Sequence, residues 1–161
     1  MPGLSPFWHA PRSRSKRPLP LALGFPGASV FIQAFKYKRW TDVRTLQAVD
    51  CVNKAEFPES YAFVLQQLNH MVIVKELFQS RLRSLPPPHT STNTAVVPVL
   101  EELERRLSAS SNWYESHVSK LKNMERKISF IFADGKPGMM TVQEILFNIV
   151  NHGSYHRGNI A

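Results

Sequence analysis

Over residues 141–161 the chain reads TVQEILFNIVNHGSYHRGNIA, and Val142, Ile145, Ile149 and Ile160 recur in the three- and four-residue steps of one helix face. Two steps of that same stripe are filled by histidines, His152 and His156, which places them one turn apart on the face expected to be buried. Thr141 followed three residues later by Glu144 predicts a capping box that starts the helix. Upstream, residues 29–52 predict a first helix with Phe31, Phe35, Trp40, Val43 and Leu46 as its bulky apolar positions. Phe57-Pro58 breaks the chain, and Ser60 is the expected cap of a second helix over 59–82. Residues 83–94, with three consecutive prolines, read as a crossover loop, and residues 95–123 as a third helix on Leu100, Leu103, Leu107, Tyr114, Val118 and Leu121. The period then changes to β-like over 127–132, and 133–138 (ADGKPG) carries turn chemistry. The pattern predicts an all-α fold, a four-helix bundle with a short β-hairpin before the last helix.

Composition narrows the picture. A chain of 161 residues suits one domain. Its single cysteine, Cys51, excludes an intrachain disulfide framework and fits a reducing compartment, so a cytoplasmic location is expected. The net charge of +8 first suggests nucleic acid, but seven of the twenty Lys and Arg precede Asp42, the first acidic residue. The remainder is nearly balanced, whereas nucleic-acid binding needs cations clustered on the fold itself. No nucleic-acid partner is therefore expected. Residues 1–28 form a basic, proline-rich leader that loosely imitates a signal or transit peptide; a disordered extension ahead of a domain over 29–161 is the favoured reading. No run reaches the 18 or so apolar residues of a membrane span.

His70, in the second helix, is the third candidate ligand, with Phe63 before it and Ile73, Val74 and Leu77 after it at helical spacings. A lone histidine on such a face is more often a core residue bonded to a carbonyl. Beside an i,i+4 pair on a facing helix the balance shifts toward a three-imidazole site with open coordination positions. His9, His89 and His117 read as structural or exposed. Cys51 has no activating neighbour in sequence, and the residues between the paired histidines (Gly153, Ser154, Tyr155) supply no glutamate base. Arg157 is read as tying the last helix to a neighbour, Gly153 and Gly158 as permitting close packing, and Tyr37 and Trp40 as core aromatics rather than a pocket mouth.

Several segments together resemble the DinB-like family of four-helix-bundle metalloenzymes. They are FKYKRWTDVRTLQAV (residues 35–49), LNHMVIVKELFQSRL (68–82), the hairpin FADGKPGMMTVQEILF and the closing NHGSYHRGNIA, which matches a His-x-x-x-His-Arg-Gly signature. The resemblance spans about residues 31–161 and implies that His70, His152 and His156 are the metal ligands. Asn148 stands where many members carry another histidine that is not a ligand, and Thr41-Asp42 replace a small residue and asparagine after Trp40. Relatives continue beyond the point where this chain stops, so a C-terminally incomplete domain is expected, with an uncovered apolar strip that favours a homodimer. The family's activities imply a zinc or nickel site that transfers a low-molecular-weight thiol to an electrophile. Metal-dependent hydrolysis comes second, and a non-catalytic stress-response or binding protein is the competing class. The resemblance names no catalytic residue beyond the ligands.

Overall fold

A computed structural model describes residues 26–161, as α1 (Pro26–Asp50), α2 (Pro58–Leu82), α3 (Leu100–Lys120), β1 (Lys127–Ile131), β2 (Pro137–Thr141) and α4 (Val142–Ile160). Most of the leader, with His9, lies outside the described residues. In the bundle α1 packs on α3 and α4, and α2 packs on the same two helices, so α1 and α2 lie across a diagonal. No helix of the described residues is long and apolar enough to cross a membrane.

Local chemistry explains the boundaries. Thr141 Oγ1 accepts from the Glu144 N–H at 3.2 Å, and the Glu144 carboxylate accepts from the Thr141 N–H at 2.6 Å, which completes the expected capping box. The second helix starts earlier than expected: Phe57 is its N-cap, with no side-chain cap bond, and Pro58 occupies the first turn. Proline suits that position because its missing N–H has no helical partner there and its φ is already helical. Ser60 is therefore not the cap. The third helix begins only at Leu100, five residues later than its periodicity suggested. Pro98 is the reason, since it holds Val97 toward extended backbone and denies the helix an N–H. In the hairpin, β1 and β2 pair antiparallel with Ile128 opposite Met140 and Phe130 opposite Gly138. Gly135 turns the chain at a φ of 83°. A Cβ on Gly138 would come within 2.5 Å of the Phe132 ring and 2.9 Å of the Phe130 ring, so any side chain there would have to displace those rings.

Two apolar clusters fill the interior. One lies toward the hairpin and joins Phe35, Phe78, Tyr114, Val118, Ile128 and Ile145 with their neighbours. The other lies toward the opposite end and joins Leu46, Val49, Leu68, Met71, Leu103 and Leu107. Between them every helix interrupts its apolar stripe. Lys38 and Asp42 do so on α1, Lys75 on α2, Ser110 and Ser111 on α3, all of them buried, and the two partly buried histidines do so on α4. The inward face of α1 is thus Phe35, Lys38, Asp42, Leu46 and Val49. That rotation leaves Trp40 at 60% and Tyr37 at 59% exposure, so these aromatics are not core residues. Val43 is exposed for the same reason, and on α2 Phe63 is exposed as well, so it does not share a buried face with the core residues after His70. Gly158 faces open space rather than a packed neighbour, whereas Gly153 is buried against Lys38.

Candidate metal centre

Three partly buried histidines meet in the polar layer. His70 comes from α2, and His152 and His156 from successive turns of α4, whose stripe places them inward as the sequence predicted. Each offers one ring nitrogen to a group in which all three lie within 4.8 Å of one another. His152 Nε2 is 3.0 Å from His70 Nε2 and 3.1 Å from His156 Nε2.

The outer sides of the rings explain this geometry. His70 Nδ1 donates to the Thr92 carbonyl at 2.9 Å, and His156 Nδ1 donates to Gln67 Oε1 at 2.6 Å. A neutral imidazole has one N–H, so both rings spend it at Nδ1 and turn an Nε2 lone pair toward His152. A single N–H on His152 can answer only one of those lone pairs. The arrangement therefore has one acceptor too many for its protons, and a divalent cation could satisfy all three nitrogens at once. A tetrahedral ion with bonds of about 2.0–2.1 Å holds its nitrogens roughly 3.4 Å apart, close to the spacing found here. The donor set and its outer hydrogen bonds fit such an ion.

Electrostatics favour the ligand form of the two α4 rings, His152 and His156. Burial, followed by the charges of His156, His70 and Lys38, pushes His152 down to about 3. Burial and then His70 also lower His156. Neutral imidazoles are what a cation requires.

The crossover that supplies Thr92 is tied down along its length. Asn69 donates to Thr94 Oγ1 at 2.7 Å and Gln66 to Asn93 Oδ1 at 3.0 Å. Farther back, His89 and Arg106 both bond the Glu76 carboxylate. Burial would raise Glu76, but those two partners outweigh it and hold the carboxyl below its usual range. His89 is therefore a structural residue, as is His117, which stacks on Trp113 with ring centres 4.5 Å apart.

Next to the histidines is an ionic cluster that periodicity did not reveal. Asp42 accepts from Lys38 Nζ at 2.7 Å and from Arg157 Nη1 at 2.8 Å, and Lys75 Nζ lies 3.7 Å away. Arg157 thus has the tying role read from the sequence. Lys75 also donates to Ser111 Oγ at 2.9 Å. Burial first, then the charge of Lys38, pushes Lys75 down to about 7 against the opposing pull of Asp42. Cys51 is exposed beyond the end of α1. Tyr155 is 66% exposed, its ring edge-on to His156, and Ser154 is occupied by Arg157 and the Val150 carbonyl. A groove of about 560 Å³ between α2, α3 and the crossover is lined by Glu76, Arg83, Leu85 and His89 among others, and none of the three clustered histidines borders it.

Gln67 and Thr92 were missed in the sequence. Gln67 carried a faint signal, a polar residue three before His70; a loop carbonyl carries none. The DinB family model matches residues 26–161 of the chain. No curated protein and no solved structure matches it.

Proposed function

We propose, from the premise that this chain belongs to the DinB family, that it is a metal-dependent enzyme in which His70, His152 and His156 hold one divalent ion, zinc or nickel, and which transfers a low-molecular-weight thiol to an electrophile. The observation that carries this reading is the convergence of three imidazole nitrogens, two of them aimed by hydrogen bonds on the far sides of their rings. Such an ion, when bound, lowers the pKa of a thiol or water it holds.

The chain's own residues do the holding and orienting. Thr92 and Gln67 fix the tautomers of His70 and His156, and burial keeps His152 neutral. Among the described residues no carboxylate belongs to the group of converging ligands, so none supplies a strong base within that group. That favours a thiol, with an ordinary pKa of about 8.5, over water as the nucleophile. Cys51, exposed and not a member of the converging group, is not suited to act as a covalent nucleophile. The partners are a small thiol and an electrophile. We also propose a homodimer, supported by Trp40, Phe147 and Tyr155, large apolar side chains that are all at least 60% exposed on α1 and α4.

The test has two stages. Elemental analysis of protein purified without added metal should find about one divalent ion per chain. Metal-loaded protein is then assayed with several cellular thiols and a haloacetamide, beside His156→Ala. Faster conjugation by the wild type with at least one thiol supports the reading. Equal rates with every thiol remove thiol transfer and favour a non-catalytic binding protein.

A further inference from the structure

Besides the apolar packing of Phe35 against α4, two contacts between α1 and α4 involve residues immediately after the two histidines of α4. Gly153 follows His152, and a Cβ built on it would lie 2.7 Å from both Cε and Nζ of Lys38. Arg157 follows His156, and its Nη1 donates to Asp42 Oδ1 at 2.8 Å. Lys38 and Arg157 converge on the same carboxylate, since Lys38 Nζ donates to Asp42 Oδ2 at 2.7 Å. Asp42 is 4% exposed, Lys38 2% and Arg157 12%, so water does little to weaken or replace these contacts.

A helix can slide along its axis or roll about it, and one contact restrains these motions poorly. Two contacts one turn apart, both referred to a single buried anion, restrain both. A roll of α4 would carry the imidazoles of His152 and His156 away from His70, which the crossover holds independently through Thr92. The clamp thus has its effect at the pair of ligands on α4.

We infer that Asp42 is a positioning residue: through Lys38 and Arg157 it sets the depth and rotation of α4, and so the aim of His152 and His156 toward His70. The inference rests on the reading of these histidines as a metal site, but its geometric content does not need the metal. Asp42 touches none of the three rings and has no role as a ligand.

The test compares full-length wild type with Asp42→Asn and Arg157→Gln, and with Val118→Ala as a core change away from the site. Arg157→Gln leaves Asp42 paired with Lys38, so it decides the matter if Asp42→Asn fails to fold. Imidazole proton–nitrogen correlation spectra of the metal-free proteins report the rings directly. Titration with Co²⁺, followed by visible absorption, reports the site. In both variants the His152 and His156 resonances should move while those of His89 stay, and Co²⁺ affinity should fall about tenfold or more with an altered visible spectrum. Val118→Ala should lower the melting temperature and leave both readouts unchanged. Unmoved resonances in a folded variant overturn the clamp, as does wild-type Co²⁺ affinity and spectrum despite moved resonances. If the wild type takes up no Co²⁺ but the resonances move, the metal reading falls and the clamp stands.

Discussion

The hairpin end and the middle of the bundle are both buried, yet they are held by different forces. At the hairpin end Phe35 stacks on Tyr114 with ring centres 5.1 Å apart, and Leu146, Ile145 and Val142 are fully buried around them. Packing there is non-directional and roughly proportional to apolar area. The middle layer instead pits three cations against one carboxylate and turns three imidazole nitrogens on one another. Burial strengthens such contacts but penalises any group left without a partner. The apolar end therefore tolerates losses in proportion to volume, whereas the polar layer has failures that are close to all or none.

The largest contrast should come from the metal. His70→Ala, His152→Ala or His156→Ala is expected to abolish metal retention altogether, read by elemental analysis of the folded protein. Leu146→Ala, at the hairpin end, should leave metal content unchanged. Wild-type metal content in all three histidine variants would end the site assignment.

Next comes the carboxylate. Asp42→Ala leaves buried cations unpaired and should destabilise the fold by about 3–5 kcal/mol, measured by urea denaturation. Leu146→Ala should cost about 2–5 kcal/mol from lost contacts and a residual cavity. The comparison sharpens if salt or pH alters the first loss and not the second.

The pH dependence separates the two regions further. Lys75 has a folded pKa of about 7 against an ordinary 10.5. Between those values the unfolded chain binds more protons at this residue than the native one, so its contribution makes stability rise with pH. The destabilisation is fully present below about pH 7 and is relieved on the way to 10.5. Asp42 and Lys38 on α1, Arg157 on α4, and Ser111 on α3 are the charged and polar groups around it. Lys38 is also lowered by burial and contributes in the same sense. Lys75→Met should therefore reduce the slope of stability between pH 7 and 10 and raise stability at neutral pH, checked by urea melts across that range. An unchanged slope would mean that the amine titrates normally.

The smallest effect is expected where neither force acts. Gly158 faces open space, so Gly158→Ala should add up to about 1 kcal/mol through helix propensity alone, seen as a modest rise in melting temperature without change in metal content.

Legibility followed the same division. The α4 stripe announced itself because Ile145, Ile149 and Ile160 bracket His152 and His156, and the Thr141–Glu144 box marked where the helix starts. The hairpin was readable from its turn residues, 133–138, and the four-helix plan from the spacing of leucines on α3. On α1 the reading held for Phe35 and Leu46 and failed for Trp40 and Val43. Lys38 and Asp42 resemble a solvated face, so between Phe35 and Leu46 the apolar pattern points to Trp40 and Val43, which are exposed.

By itself, then, the sequence determined the local hydrogen-bonding and periodic features: the number of helices, the capped start of α4, the turn at Gly135 and the inward aim of two histidines. These depend on residues within a few positions of one another. Only the tertiary structure decided which way α1 is rotated, that Asp42 sits between cations from three helices, and that Gln67 and a loop carbonyl set the tautomers of His156 and His70. Those contacts join residues up to 115 positions apart. A buried charge is stable only beside partners that local sequence cannot specify, so its place becomes visible when the four helices have packed.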